Sequence, residues 1–189
     1  MPAFPRTKIM TSLVEKILAL SEALNNSEFD YAFGGALALA FHVEEPRGTR
    51  DIDVNIFASV GDGERVCQVL PQAIVCAPAD LVELQRSGQV RLFWGDTPID
   101  IFLSTTEFHR VVLANLASGL LGNIEIPILG ATELAVFKAF FNRTKDWADI
   151  EAMVECNSVQ IVDVVDWITR LFGAHDERIE RLRKLEVRR

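Results

Sequence analysis

Residues 51–56, Asp-Ile-Asp-Val-Asn-Ile, alternate polar and aliphatic side chains without interruption. That is the period of a β-strand, in which successive side chains point to opposite faces. Ile52, Val54 and Ile56 form a face that can join a core, while Asp51, Asp53 and Asn55 share the other. Two like charges that close repel each other and raise a pKa. A divalent cation removes the repulsion, and Mg²⁺ favours a few carboxylates together with substrate phosphates. Just upstream stands Gly34-Gly35-Ala36, and a glycine pair lets backbone come close to a phosphate.

A second strand pair repeats the pattern. Val90–Trp94 and Ile99–Leu103 read as strands joined by the turn Gly95-Asp96-Thr97-Pro98. In the second of them Pro98, Asp100 and Phe102 share one face. Asp51, Asp53 and Asp100 are therefore expected on neighbouring strands of one antiparallel sheet, where they would hold one or two Mg²⁺ (or Mn²⁺) ions. Such ions bridge triphosphate oxygens and orient an attacking hydroxyl. Asp100 is the candidate general base, or the group that orients the nucleophile. Backbone N–H groups of Gly34 and Gly35 would meet the phosphates, helped by the helix that follows. Taken singly, each acid reads as the solvent face of a half-buried strand; the doublet after Gly-Gly, with a third strand acid downstream, favours the metal reading.

The remaining chain divides by texture. Leu13, Ile17, Leu20 and Leu24 recur at helical spacing over Thr11–Leu24. Phe29–Phe33 reads as a strand, Ala36–His42 as a helix, Glu44–Arg50 as a loop with Pro46 and Gly48, and Gly61–Leu70 as a helix opened by Asp62. Leu81–Ser87 is expected to form a turn or two of helix and Glu107–Leu116 another helix. Asn123–Leu129 is a short strand whose Pro127 suggests a sheet edge. From Thr132 onward only helical patterns follow, around 146–155, 159–172 and 176–187. The expected architecture is an α/β domain over residues 1–128 with a helical C-terminal region, 129–189, packed on it.

Composition narrows the partners. A formal charge of −8 over 189 residues argues against a general nucleic-acid coat, which needs a basic surface. The C-terminal run of Arg178, Arg181, Arg183, Lys184, Arg188 and Arg189 is interleaved with acids and reads as helical ion pairing. Cys67, Cys76 and Cys156 are odd in number and lack CxxC spacing, so they are expected to be buried thiols in a reducing compartment. No apolar run reaches membrane-spanning length, and the N-terminus, with Pro2 and Pro5, has no long apolar segment. The expected location is the cytoplasm.

Gly34-Gly35, the helix of Ala36–His42, and Arg47-x-Thr49-x-Asp51-Ile52-Asp53 resemble the signature of the polymerase-β-like nucleotidyltransferase superfamily. Ala131-Thr132-Glu133-Leu134-Ala135-Val136-Phe137-Lys138 followed by Arg143-x-Lys145-Asp146-x-x-Asp149-Ile150 resembles the AbiEii/AbiGii type, which includes toxins of bacterial toxin–antitoxin pairs. The resemblance implies a small mixed sheet with flanking helices and metal on Asp51, Asp53 and Asp100. It also implies transfer of a nucleoside monophosphate from an NTP to a hydroxyl on RNA (a tRNA end), a protein or a small molecule such as an aminoglycoside. It further implies active-site roles for Lys138 and for Asp149 or Asp146, and an antitoxin protein as partner. Lys138 would meet the triphosphate as a point charge. Arg47 and Thr49 would touch phosphate or position the loop. Ala36 stands where many members carry Ser or Thr, so one hydrogen bond to phosphate, worth about 1.5–3 kcal/mol, is missing. The competing reading is a catalytically weak nucleotide- or partner-binding domain on the same fold.

Overall fold

The computed structural model describes residues 12–186. Thr11, the N-terminal prolines and the basic residues Arg188 and Arg189 lie outside that range. Helix α1, Leu13–Asn25, starts in a capping box: the Ser12 hydroxyl accepts from the Glu15 N–H, and the Glu15 carboxylate accepts from the Ser12 N–H. Its apolar stripe of Ile17, Leu20 and Leu24 is buried as the spacing predicts.

Among the described residues six strands form one mixed sheet in the order β3-β4-β2-β1-β6-β5. They are β1 Tyr31–Phe33, β2 Ile52–Ile56, β3 Gln89–Trp94, β4 Thr97–Leu103, β5 Ala117–Leu121 and β6 Ile124–Ile128. β2 runs antiparallel to β1 and parallel to β4. The expected antiparallel pairing of the two acidic strands is therefore corrected. The chain leaves β2 through a 3₁₀ turn (Val60–Asp62), α3 (Gly63–Val69) and α4 (Pro78–Ser87), and enters the sheet again as the β3–β4 hairpin. β3 takes the edge, and its hairpin partner β4 lands beside β2 in the parallel sense. A parallel neighbour needs such a long crossover. Ile52, Val54, Ile99 and Ile101 lie wholly inside the core cluster. Burial contributes about 1.5–3 kcal/mol for each such side chain, so the apolar face fixes which way Asp53 and Asp100 point.

Two further expectations change. β6 is not an edge strand, because β5 (Ala117–Leu121) covers it. Pro127 is tolerated there because pairing with β1 is confined to the Phe33–Ile128 step. Cys67 and Cys76 are joined in a disulfide that closes the loop between α3 and α4, while Cys156 is a half-buried free thiol. The expectation of three buried thiols therefore does not hold: two cysteines are paired and the third is only half-buried.

The remaining helices are α2 Gly35–Leu39, α5 Phe108–Ala114, α6 Ala131–Phe141, α7 Thr144–Glu155, α8 Ile161–Phe172 and α9 Glu177–Glu186. In α6, Leu134, Ala135, Val136 and Ala139 are buried. α9 buries Ile179 and Leu182, and stacks Arg178 on Phe172 and Arg181 on Trp147. These two arginines of the basic run are used in packing. Among the described residues no helix is long and apolar enough to cross a membrane.

Candidate active site

β1 ends at Phe33 and the chain turns sharply into α2. The Gly34 N–H donates to the Asp53 carbonyl at 2.9 Å, so one of the two expected phosphate-facing amides is already used inside the sheet. Gly35 adopts φ +55°, and a Cβ there would lie 1.8 Å from Asp53 Oδ2. Glycine is therefore required twice over, by the left-handed backbone and by the approach of the carboxylate. Ala36 is buried in the first turn of α2.

Asp53 and Asp100 are register partners on β2 and β4. Their charges are handled differently. Arg91, directly opposite Asp100 on β3, takes both Asp100 oxygens, with Nε–Oδ1 at 2.8 Å and Nη2–Oδ2 at 2.7 Å. The same Nη2 lies 3.7 Å from Asp51 Oδ2. The paired guanidinium of Arg91 is held well above its ordinary pKa, chiefly by these hydrogen bonds to Asp100. Among the described residues Asp53 has no such partner. Burial, and then the neighbouring Asp100 charge, push its carboxyl up to about 6. Asp51 borders the strand with its N–H on Thr49 Oγ1, and that hydroxyl donates back to the Asp51 carbonyl. Thr49 thus organises the loop entering β2.

No group of three or more His, Cys, Asp or Glu side chains is gathered to hold one ion among the described residues. The donor chemistry nevertheless fits a hard cation at Asp53 and Asp51, where an uncompensated, half-buried carboxylate stands near a second acid. Asp100 is different, because Arg91 already matches its charge.

A second charged cluster closes over the site from α6 and α7. Lys138 Nζ donates to Asp149 Oδ2 at 2.6 Å, and Arg47 reaches both Asp149 oxygens at 2.9 and 3.0 Å. Burial alone would raise the Asp149 pKa, but the bonds from Arg47 and Lys138 outweigh it and hold the carboxyl below its ordinary value. Burial pulls the Lys138 ammonium below its ordinary value, against the carboxylate that holds it up. Asp146 is buried separately. It caps α7 through the Arg143 N–H and pairs with the Arg143 guanidinium at 2.6 Å.

The expected residues are thus split between a pocket and its rim. Gly35, Asp53, Lys138 and Asp146 line one pocket between the sheet face and α6. Gly34, Asp51, Arg47, Thr49, Asp100 and Asp149 surround it through the contacts above. Three residues that were given no site role join them: Arg91, Arg143 and Asn55. Arg91 carried a legible signal, since a turn after Trp94 in the hairpin sets Arg91 opposite Asp100. Asn55 shares Asp53's strand face, but nothing in the sequence said that its amide would be buried there.

No model of a known protein family matches the sequence, and no curated protein matches it. Solved structures do match in fold. The structure of the antibiotic-resistance factor ANT(2'')-Ia superposes with a TM-score of 0.59 at 11% identity, covering 93% of this chain and 97% of that one. The lincomycin-bound lincosamide antibiotic adenylyltransferase LnuA gives 0.51 at 12% identity, covering 75% and 96%. The fold is a nucleotidyltransferase fold. The small mixed sheet with flanking helices that the resemblance implied stands.

Proposed function

We propose that this chain is a divalent-metal-dependent nucleotidyltransferase that moves a nucleoside monophosphate from an NTP to a hydroxyl acceptor. The observation that carries the reading is Asp53: a half-buried carboxylate with no hydrogen-bond or ion-pair partner among the described residues, against the Gly35 backbone and beside Asp100. A structural acid would have found a cation or a helix end, as Asp100, Asp146 and Asp149 have. ANT(2'')-Ia as an antibiotic-resistance factor and LnuA as a lincosamide adenylyltransferase are consistent neighbours.

Asp51 and Asp53 would hold Mg²⁺ or Mn²⁺, which when bound supplies positive charge to the triphosphate oxygens. The chain's own residues do the positioning. The Gly35 turn brings backbone close to the carboxylate without a side chain between. Lys138 and Arg47, tied through Asp149, fix α6 and α7 against the loop entering β2. Asp100 takes the acceptor hydroxyl's proton only after Arg91 releases one of its oxygens, because an acid with both oxygens in a guanidinium fork is a poor base. The new ester bond forms from the acceptor oxygen to the α-phosphorus as the bond to pyrophosphate breaks. Of the two downstream acids, Asp149 is the one that Lys138 holds, which favours it as the lysine's partner in an AbiEii-like arrangement. The toxin role and an antitoxin partner rest on the sequence resemblance.

A second reading, a weak or inactive nucleotide-binding domain, is favoured by Arg91 on Asp100 and by Ala36 in place of a hydroxyl. Incubating the protein with each α-labelled NTP, Mg²⁺, cell RNA and a pool of small alcohols separates the two. The transferase reading expects label on an acceptor with wild type and none with Asp53→Asn. Nucleotide binding without label transfer under any of these conditions would favour the second.

A further inference from the structure

Arg91 stands where one cation serves two acids. It is the register partner of Asp100 across the β3–β4 hairpin, fixed there by the turn that pairs Trp94 with Thr97. Both Asp100 oxygens accept from it, and its Nη2 is also 3.7 Å from Asp51 Oδ2. Strand register puts it there, since directly opposite residues lie about 4.5–5.5 Å apart at Cβ. The pair is not needed to hold the fold. The Arg91 side chain is 53% exposed, on a strand at the sheet edge, and an ion pair that open to water stabilises little. What the guanidinium does is divide the acids. Asp100 is matched and Asp53 is not, and the three acids are not gathered around one point among the described residues.

We propose that Arg91 is the second cation of this active site: the transferase works with one divalent ion, on Asp53 and Asp51, and the Arg91 guanidinium stands in for a second ion at Asp100 and Asp51. The proposal rests on the transferase reading and adds a residue to its chemistry. A second ion shared by Asp100 and Asp51 would need oxygens that already face Nη2, and it would meet a like charge held there by the strand register. One divalent ion and one guanidinium together match the three acids before any nucleotide arrives. A guanidinium is always charged and offers several donors in a fixed plane, so it can serve both carboxylates at once. Nη2 is 2.7 Å from Asp100 Oδ2 and 3.7 Å from Asp51 Oδ2, so a small shift toward Asp51 frees an Asp100 oxygen without unpairing the arginine. The freed oxygen takes the proton of the acceptor hydroxyl. The acceptor oxygen bonds to the α-phosphorus, and pyrophosphate departs with the electrons of the broken bond. The guanidinium stays beside the acceptor oxygen and stabilises the charge that develops there. The rival is a plug: an Arg91 that a second ion pushes aside.

The test counts Mn²⁺ bound to the full chain by electron paramagnetic resonance, with the metal alone and with the α,β-methylene analogue of each NTP. Wild type should bind one ion per chain, with no broadening from a second ion nearby. Arg91→Gln, which removes the charge and keeps a polar side chain, should bind two magnetically coupled ions. Arg91→Gln/Asp100→Asn should return to one. Thermal melting checks that each variant is folded; an arginine that served only the fold would change the melting and leave the ion count at one. Two coupled ions on wild type overturn the proposal and leave the transferase reading standing. A single ion on folded Arg91→Gln, even in millimolar Mn²⁺, also overturns it, because something other than the guanidinium then limits the site. No ion on wild type in either series defeats the transferase reading, and the proposal falls with it.

Discussion

Asp149→Asn removes one charge from a cluster in which Lys138 has nowhere else to go. Lys138 is 4% exposed, and among the described residues its one side-chain hydrogen bond is to Asp149 at 2.6 Å. Removing one partner from a buried ion pair costs about 3–5 kcal/mol, because the other charge stays buried and unmatched. Arg47 shares the carboxylate, but its side chain is 40% exposed and will find water, so it adds little. For a chain of this length about 1 kcal/mol shifts the melting temperature by roughly 2–4 °C, giving a loss of about 6–20 °C. Calorimetry at pH 7 measures it. The pH dependence supplies a second check. Asp149 is held below its ordinary pKa, so its contribution is present above about 3.9 and fades as pH falls through the lower folded value. Wild type and variant should therefore converge in acid. The double variant Lys138→Met/Asp149→Leu should recover most of the loss, since replacing a buried pair by apolar groups is often neutral. A drop of less than about 1 kcal/mol for Asp149→Asn, or a double variant as unstable as the single, would refute the claim that Asp149 carries the charge of Lys138.

Three further outcomes follow from the same contacts. The Asp53 carboxyl titrates at about 6, above its unfolded value, so its contribution is fully present below about 3.9 and is lost as pH rises through about 6. Asp53→Asn should remove that slope and raise stability at pH 7–8 by about 1–2 kcal/mol while abolishing transfer, measurable by denaturation at several pH values. Arg91→Ala should tighten Mn²⁺ binding severalfold in titrations followed by electron paramagnetic resonance, because Asp100 loses the cation that now covers it; unchanged Mn²⁺ affinity would show that Asp100 and Asp51 take no part in the ion site. Gly35→Ala should displace the Asp53 carboxylate and lower stability by about 1–2 kcal/mol through the left-handed backbone alone, with a larger loss of transfer than of stability in paired assays.

Much of this site was legible in the chain, for a physical reason. Alternation over 51–56 and 99–103 assigns Asp53 and Asp100 to one sheet face, because the apolar alternates must be buried. What alternation cannot supply is strand direction: a parallel β2–β4 pair depends on the crossover through α3 and α4, which no local pattern encodes. Strand β5, Ala-Ser-Gly-Leu-Leu, was missed because three of its five residues are small and poor at forming strands. Helix α4 starts at Pro78, ahead of the expected Leu81–Ser87, because proline suits a first helical turn. The Cys67–Cys76 pair depended on a loop closure invisible in spacing alone. The roles of Lys138 and Arg47 changed most. Lys138 was expected to meet the triphosphate and Arg47 to touch phosphate or position the loop; both are held by Asp149, an acid on a helix far along the chain from Arg47.

The claim at the centre of this account is that Asp53 is an acid waiting for a metal and a triphosphate. Isothermal calorimetry with ATP, CTP, GTP and UTP, with and without Mg²⁺, on wild type and Asp53→Ala tests it most directly. At least one nucleotide should bind wild type only in the presence of Mg²⁺, and that heat should vanish in Asp53→Ala while the variant remains folded. Nucleotide binding that ignores both the metal and the substitution would contradict it.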